Sequence, residues 1–464
     1  MRVAVVGGGI SGLAAAEAVV RSHPSVAVTV LEAAGRLGGV IRTEHSEGYV
    51  IEHGPDALLA AKPAAAALCA RVGLAGRLHG TTTGIGRAYV LREGRLRRLP
   101  SGMSGLVPAR PAALLLARGL SWPARLRAAL EPLIPRGHPL REESVEHFVV
   151  RRLGRGMYED VVEPLLSGIH AGDGGTLSLD AAFPQLRALE QRYGSLARGA
   201  RRVRPGGSGF VSLRGGLGEL VHALSGGLEA TGRVSLRTAA EVRRVHASDS
   251  GARLELASGD RVDADAVVVA TAAAPMGRLV AGLSAAAAAL LAQVRSSSVS
   301  IVTLGFPATA VPRPLDASGY VVPRRDGRPV LACTWSSVKF PGRAPAGRAL
   351  FRVFIGGAGR ADAAGGDDAS LIGIARAELG STLGATGIPE LVRVARWRDA
   401  MPQYAVGHAH RMSRVRAELA GLPWLALAGN MWDGVGISDC IRSGERAAAE
   451  VLAHLVTRGA PVPA

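Results

Sequence analysis

The chain has 464 residues, 48% of them hydrophobic, and its formal net charge at pH 7 is +17. This length allows two or three domains with a large core. Its three scattered cysteines, Cys69, Cys333 and Cys440, exclude a disulfide framework and a Cys-x-x-Cys metal site, and they fit a reducing cytoplasm. We expect no membrane span, because no run of about 20 apolar residues is present, and we expect no signal peptide and no metal site.

The positive charge comes almost entirely from arginine, because Lys62 and Lys339 are the only lysines. A coding bias toward alanine, glycine and arginine is the simplest explanation. The functional alternatives are an anionic substrate, an acidic membrane surface or nucleic acid. Aromatic residues make up only 4% of the chain and leave little material for base stacking. We therefore favour an anionic substrate and expect no nucleic-acid partner.

The chain begins with a valine-rich run at residues 2–6, which is typical of a buried parallel strand. Gly7, Gly9 and Gly12 follow in the G-x-G-x-x-G spacing, and residues 11–20 have the composition of a helix. The three glycines allow a sharp turn, close approach to a pyrophosphate, and close packing of helix on strand. This arrangement predicts a dinucleotide site at the start of the helix.

A second apolar run, residues 26–31, ends at Glu32, which is placed to accept hydrogen bonds from a ribose diol. The alternative is a structural glycine turn with a capping glutamate. The order of strand, turn, helix, strand and acid favours the dinucleotide site.

The residues after Glu32 distinguish between possible cofactors. The run 36–43, Arg-Leu-Gly-Gly-Val-Ile-Arg-Thr, resembles the FAD signature of the flavin amine oxidase and protoporphyrinogen oxidase superfamily. In that group the arginine and the paired glycines lie along the FAD phosphates. Residues 54–57, Gly-Pro-Asp-Ala, resemble the loop that returns beneath the flavin. The resemblance therefore implies FAD rather than NAD.

Two later segments complete the implied FAD site. Val242 matches the position that contacts the adenine side of FAD in this group. Near the C-terminus, a helix from about Ile437 to Leu455 would direct its N-terminus at the N1/O2 edge of the flavin. The implied cofactor-binding residues are Gly7, Gly8, Gly9, Ile10, Ser11, Gly12, Glu32, Ala33, Arg36, Gly38, Gly39, Val40, Gly54, Pro55, Asp56, Ala57, Val242, Asn430, Val435, Gly436 and Ile437.

The middle of the chain narrows the resemblance. Residues 163–173, Glu-Pro-Leu-Leu-Ser-Gly-Ile-His-Ala-Gly-Asp, and the Pro-Gln-Tyr run at 402–404 resemble the bacterial porphyrinogen oxidases of haem synthesis. In that family the backbone of Gly168 lies beside the flavin face, although Gly168 as a simple helix C-cap is the alternative. His170 departs from the family, where Tyr or Phe is expected, and it introduces a group that can titrate.

The implied fold is α/β (α+β), a two-dinucleotide-binding-fold flavoprotein with a Rossmann-like FAD domain, a mostly antiparallel substrate-domain sheet and a helical subdomain. Strands are predicted at about 298–305, 319–323, 329–335 and 349–355, and a hairpin over 87–100 that turns at Glu93-Gly94. Amphipathic helices are predicted around 110–133 and 143–166, the second with Ser144 as its N-cap. Alternating Arg and Leu in the helical subdomain resemble helices that contact a membrane surface, with core packing as the favoured alternative. The predicted parts are an FAD-binding domain of 1–80, 205–280 and 396–464, a substrate-binding domain of 81–100 and 281–395, and a helical subdomain of 101–204.

Within this family, the chain resembles the coproporphyrinogen III oxidases. It implies FAD-dependent oxidation of coproporphyrinogen III to coproporphyrin III, with oxygen as the acceptor and hydrogen peroxide as a product. No catalytic side chain is obligatory, because aromatisation drives the reaction and the cofactor takes the hydride. The expected substrate contacts are Arg87, which would bind a propionate, with Gly168 and His170.

Several alternatives remain. A protoporphyrinogen IX oxidase has the same motifs, and an FAD amine oxidase shares the N- and C-terminal signatures. An RNA-associated flavoprotein would explain the charge, and a non-catalytic scaffold would leave the cofactor motifs without a use. The resemblance also implies a transient handover of product to a ferrochelatase, whereas the oligomeric state is not predicted.

Overall fold

The computed structural model describes residues 1–85, 88–99, 103–104, 107–108, 120–139, 141–202, 209–249 and 251–459. Arg87 and part of the predicted helical segment at 110–133 lie outside the described residues. The strands are, in chain order, β1 Arg2–Val6, β2 Ala27–Leu31, β3 Thr43–Ser46, β4 Tyr49–Glu52, β5 Leu58–Leu59, β6 Leu78–Gly80, β7 Tyr89–Arg92, β8 Arg95–Arg98, β9 Met103–Ser104, β10 Val107–Pro108, β11 Phe210–Leu213, β12 Val234–Arg237, β13 Val242–Ser248, β14 Gly251–Leu256, β15 Arg261–Ala264, β16 Ala266–Val269, β17 Ser296–Pro307, β18 Gly319–Val321, β19 Val330–Trp335, β20 Arg348–Gly356, β21 Leu391–Pro402 and β22 Leu425–Leu427.

Helices connect these strands and form a separate layer between β10 and β11. A π-helical segment, Tyr158–Val162, interrupts that layer. The α-helices are α1 Ile10–Ser22, α2 Pro63–Arg71, α3 Trp122–Ala129, α4 Val145–Leu153, α5 Arg155–Met157, α6 Glu163–His170, α7 Leu179–Ala182, α8 Pro184–Tyr193, α9 Leu196–Arg202, α10 Gly218–Ala230, α11 Ala273–Val280, α12 Ala285–Ala292, α13 Ser336–Lys339, α14 Ala361–Ala364, α15 Asp368–Leu383, α16 His408–Glu418 and α17 Ile437–Gly459.

The first sheet is parallel, with strand order β12-β2-β1-β16-β22. Strands β1 and β16 lie at its centre, and their valines are almost fully buried. Helices α1 and α17 pack on this sheet and on each other, and burial of the strands on both faces is characteristic of parallel sheets. The predicted Rossmann-like domain is confirmed, and the glycine turn lies at the carboxyl end of β1, where such folds bind ligands.

The second sheet has seven strands in the order β21-β17-β20-β19-β18-β7-β8. Its described strand pairs are antiparallel except for β18 with β7. The predicted strands within 298–355 are confirmed as β17 to β20. The hairpin of β7 and β8 turns at Glu93 and Gly94, whose φ angles are 51° and 71°. The predicted mostly antiparallel sheet is therefore confirmed, and we call it the substrate sheet after the role that the sequence predicts for it.

The helical layer has its own core, separate from the cores of the two sheets. The predicted helix at 143–166 is divided at Gly154, whose φ is 89°. Helix α4 begins as predicted, because Ser144 Oγ accepts a hydrogen bond from the His147 N–H at 3.2 Å. Gly168 is not the C-cap considered above, since α6 continues to His170 and Ala171 adopts the left-handed conformation.

The division of the chain into three domains, with its limits, stays a prediction. Ala287, Leu290 and Leu291, from the segment assigned to the substrate domain, pack in the same core as the parallel sheet. Across the described ranges, no helix is both long and apolar enough to cross a membrane.

Candidate functional site

At two positions in and beside the turn between β1 and α1, no residue larger than glycine fits. Gly7 has a φ of 107°, and a Cβ on it would lie 2.7 Å from the Ala270 carbonyl oxygen. A Cβ on Gly12 would overlap the carbonyl oxygen of Gly7. The helix therefore starts in contact with the end of the strand, which directs the first N–H groups of α1 outward.

A shallow cradle without side chains lies in front of this helix. Gly9 forms an isolated bridge with Gly38, and the Gly38 N–H donates to the Gly8 carbonyl at 2.8 Å. A Cβ on Gly39 would lie 3.2 Å from the Gly9 Cα and would narrow the cradle. Gly9 is the N-cap of α1 and provides no capping side chain. Such a surface fits a pyrophosphate, which can approach the backbone and the positive end of the helix dipole.

Glu32 closes the cradle at the end of β2. Its carboxylate accepts the Gly8 N–H at 2.7 Å and the Ala34 N–H at 2.8 Å. Each carboxylate oxygen has a further lone pair for a ribose hydroxyl. The structure thus fits the predicted ribose contact and adds a second role, because Glu32 also holds the glycine turn.

Arg36 is bound to the backbone of its own loop. Its guanidinium donates to the carbonyls of Leu37 at 3.1 Å, Gly39 at 2.6 Å and Ile41 at 3.2 Å. These contacts fix the loop that carries Gly38 and Gly39. The phosphate contact of Arg36 stays a prediction, whereas its role in shaping the cradle follows from the geometry.

The loop 54–57 is packed against the segment that follows the paired glycines. A Cβ on Gly54 would overlap the Val40 carbonyl oxygen. On the other side, Arg352 of β20 donates to the Gly54 carbonyl. Lys339 Nζ lies 2.9 Å from both carboxylate oxygens of Asp56. Trp397 of β21 donates to the His53 carbonyl at 2.6 Å. The substrate sheet therefore holds this loop in place.

The N-terminus of α17 lies near the same cradle. A Cβ on Gly444 would overlap the Ser11 carbonyl oxygen, so α17 and α1 pack closely. Asp439, in the first turn of α17, is 1% exposed and forms ion pairs with Lys62 and with Arg442, the latter at 3.0 Å. The glycine turn, the paired glycines and the first turns of the last helix thus lie in one region, and the binding of FAD by these residues stays a prediction.

The Pro-Gln-Tyr run supports the turn before α17. The Tyr404 hydroxyl donates to the Asn430 carbonyl and accepts the Gly434 N–H at 3.1 Å. Its ring stacks on His408 at a centroid distance of 4.3 Å. The Asn430 side chain donates to the Ala400 carbonyl at 3.2 Å. Tyr404 therefore fixes the turn at 430–436 through two hydrogen bonds to its backbone.

The remaining predicted cofactor positions differ in accessibility. Val242 is 8% exposed at the start of β13, where the register with β14 shifts. Several others present open backbone or side-chain surface; the exposed residues are Ala33, Gly39, Val40 and Gly436, and the half-buried ones are Pro55, Asp56, Ala57, Asn430, Val435 and Ile437. Their individual contacts with FAD stay predictions.

The two described substrate candidates face different surroundings. Gly168 is exposed, and a Cβ on it would lie 3.3 Å from a methyl group of Val321 on β18. His170 is only 5% exposed and packs edge-on against Phe183 at 5.3 Å. Its Nδ1 has no hydrogen-bond partner. Burial, together with the charge of Lys62, lowers the pKa of His170 to about 4.

This buried histidine makes stability depend on pH. In the unfolded chain His170 takes up a proton near pH 6.5, whereas in the fold its pKa is about 4. The stability that depends on neutral His170 is therefore fully present above pH 6.5 and is lost as the pH falls toward 4. When the pH is lowered from 7 to 5, we expect the free energy of unfolding to fall by about 2 kcal/mol less in His170→Phe than in the wild-type protein. Urea denaturation at both pH values measures this difference, and an equal loss in both proteins would contradict it.

Sequence reasoning missed the residues that grip the loop 54–57. Arg352 was not singled out, and Lys339 was noted only as one of two lysines. Their partners lie 298 and 283 residues away along the chain. Only the packing of distant segments brings these side chains, on β20 and α13, to the loop, and no local pattern could have identified them.

Residues 10–452 match the family model described as flavin containing amine oxidoreductase. The chain belongs to this family. It is 35% identical to the coproporphyrinogen III oxidase of Bacillus subtilis (strain 168), over 98% of each chain. It is 30% identical to the chloroplastic protoporphyrinogen oxidase of Nicotiana tabacum, over 97% of this chain and 85% of that one.

Solved structures share the fold. A crystal structure from Exiguobacterium sp. 255-15 has a TM-score of 0.87 and 32% identity, covering 98% of this chain and 99% of that one. Putrescine oxidase bound to putrescine has a TM-score of 0.68 and 18% identity, covering 98% and 99%. The predicted flavin is confirmed by the family, and the glycine cradle with Glu32 fits its dinucleotide form, FAD.

Proposed function

We propose that the chain catalyses the FAD-dependent oxidation of coproporphyrinogen III to coproporphyrin III. The observation that carries this proposal is its similarity, over nearly the whole chain, to coproporphyrinogen III oxidases from several bacteria, at 30–35% identity. The site supports it, because the glycine cradle, the gripped loop and the start of α17 fit the flavin that the reaction needs.

When bound, FAD supplies the acceptor for a hydride from the porphyrinogen. The chain's own residues bind and orient. The positive end of the α17 dipole favours negative charge at the site. The buried carboxylate of Asp439 lies in the first turn of this helix and would weaken that effect. Lys62 and Arg442 pair with Asp439 and neutralise its charge. Gly168 is exposed next to Val321 of β18 and is the proposed backbone contact for the porphyrinogen. His170 remains neutral near pH 7 and therefore adds no charge there.

The pairing of the two lysines speaks against the alternative function, an FAD amine oxidase. That reaction often uses a lysine that reaches the flavin through a water. Lys339 is held by both oxygens of Asp56, and Lys62 is paired with Asp439. Both lysine side chains thus already have carboxylate partners, which favours a reaction that needs no such lysine.

The test uses anaerobically prepared coproporphyrinogen III and protoporphyrinogen IX with the purified flavoprotein. Porphyrin fluorescence and hydrogen peroxide are followed after oxygen is admitted, with free FAD as the control for spontaneous oxidation. We expect faster turnover of coproporphyrinogen III, because four propionates suit an arginine-rich chain better than two. Faster turnover of protoporphyrinogen IX, or no oxidation of either by a flavin-loaded protein, would overturn the proposal; amines would then be tested next.

The cellular setting is part of the proposal. Oxygen is the proposed electron acceptor, a ferrochelatase the proposed recipient of the product, and the cytoplasm the proposed location. Contact with a membrane surface also stays a prediction. Its support is one helix face at α3 and the turn after it, where Trp122, Leu126, Leu130 and Leu133 are 43–73% exposed.

A further inference from the structure

A buried group of charges lies where the substrate sheet meets the loop 54–56. Lys339 and Arg352 both reach the Asp56 carboxylate, Arg352 at 3.3 Å from Oδ2. Arg352 also donates to the Gly54 carbonyl and is only 2% exposed. Two cations, Arg352 from β20 and Lys339 from α13, therefore converge on a single carboxylate of the cofactor-side loop.

A third cation supports the same loop from behind. Arg343 is 1% exposed and donates to Ser212 Oγ at 2.7 Å, and Ser212 Oγ donates to the Asp56 carbonyl at 2.8 Å. The guanidinium of Arg343 also lies 3.7 Å from the Glu52 carboxylate. The loop is thus held at the Gly54 and Asp56 carbonyls and at the Asp56 side chain.

The charges in this group do not cancel. Three cations, Lys339, Arg343 and Arg352, face two carboxylates, Asp56 and Glu52. Arg343 Nη1 and Arg352 Nε are buried without hydrogen-bond partners. A positive excess is therefore held in the interior, where an electrostatic field is screened less than in water.

The field acts close to the implied cofactor segment, because Gly54 packs directly against the Val40 carbonyl. A two-electron reduced flavin carries a negative charge, and nearby protein charge tunes how readily the ring is reduced. We propose that the Asp56–Lys339–Arg352 cluster raises the reduction potential of the bound flavin, with Lys339 and Arg352 as positioning residues that act through the 54–56 loop. The inference rests on the FAD assignment within the proposed function, and it does not depend on which substrate is oxidised.

The test is the midpoint potential of the bound flavin, measured by dye equilibration without substrate. Lys339→Met removes a positive charge and is expected to lower the potential. Asp56→Asn removes a negative charge and is expected to raise it. The double variant removes a neutral pair and is expected to return near the wild-type value. Opposite shifts separate an electrostatic role from simple loss of structure, which would move both single variants in the same direction.

One control changes a residue on the same strand as Arg352, and the other keeps the positive charge at position 339. Arg348→Met, at the far end of β20, removes an exposed partner of Glu390 at 2.7 Å and is expected to leave the potential unchanged. Lys339→Arg keeps the charge and is expected to keep the potential, which guards against a Lys339→Met variant that folds poorly. Shifts of the same sign in both single variants, or no shift in either, would overturn the inference. A wild-type protein that binds no FAD would instead refute the cofactor assignment.

Discussion

A Gly12→Ala variant is expected to lose its bound FAD. The added Cβ would overlap the carbonyl oxygen of Gly7 and lie 3.1 Å from a methyl group of Val5. Both neighbours belong to the central strand and its turn, so α1 must move away from β1. Forcing one extra carbon into a packed contact costs about 1–3 kcal/mol, which corresponds to up to roughly 100-fold weaker FAD binding. The ratio of flavin absorbance to protein absorbance after purification measures the loss.

Gly35→Ala is the matched control for this substitution. Gly35 lies between Glu32 and Arg36 in the same cofactor region, but a Cβ there meets nothing within 4 Å. We expect this variant to retain its flavin and its absorbance spectrum. Equal flavin content in Gly12→Ala and wild-type protein would contradict the packing argument for the glycine turn.

The glycine turn was predictable because its requirements are local. Gly7, Gly12 and Glu32 act within one strand–helix–strand unit, and each role follows from spacing along the chain. The same holds for the β7–β8 hairpin, where a turn signal separates two short strands. Local backbone geometry thus carried the prediction of the FAD domain and of its cradle.

Other features depend on contacts between distant segments. The division at Gly154 is one, because only the folded layer shows the positive φ of 89° that ends α4 there. The burial of His170 is another, since its neighbour Phe183 belongs to a different helical segment. The grip of Arg352 and Lys339 on the 54–56 loop is a third. Periodicity and spacing describe single elements, and these three features arise only when elements pack together.

The second large effect is expected in the helical layer, at Arg152. This side chain is 0% exposed and donates to Glu131 at 2.9 Å, to the Ile134 carbonyl at 2.8 Å and to the Gly194 carbonyl at 3.0 Å. Removing one partner of a buried ion pair leaves the other charge uncompensated. We expect Arg152→Met to lower the free energy of unfolding by about 3–5 kcal/mol, measured by urea denaturation followed by circular dichroism.

The effect is expected to be large because Glu131 also binds the N–H groups at the start of α9. Its carboxylate accepts N–H groups of Leu196 at 2.9 Å and Ala197 at 3.3 Å, at the start of α9. Without Arg152 these contacts would have to hold an unpaired charge in the interior. Replacing both partners, as Glu131→Gln with Arg152→Met, is therefore expected to recover part of the loss, because position 131 then carries no unpaired buried charge.

Arg155→Met is the control that separates burial from charge. Arg155 lies three residues further along, and its side chain is 64% exposed, with Glu146 and Glu159 each at 3.4 Å. Water and salt screen such a pair, so its removal is expected to cost less than about 1 kcal/mol. Similar losses in Arg155→Met and Arg152→Met would contradict the argument, since both variants remove one arginine from the same helical layer. A much larger loss at Arg152 would identify the buried pair with Glu131 as the contact that joins α4 to α9.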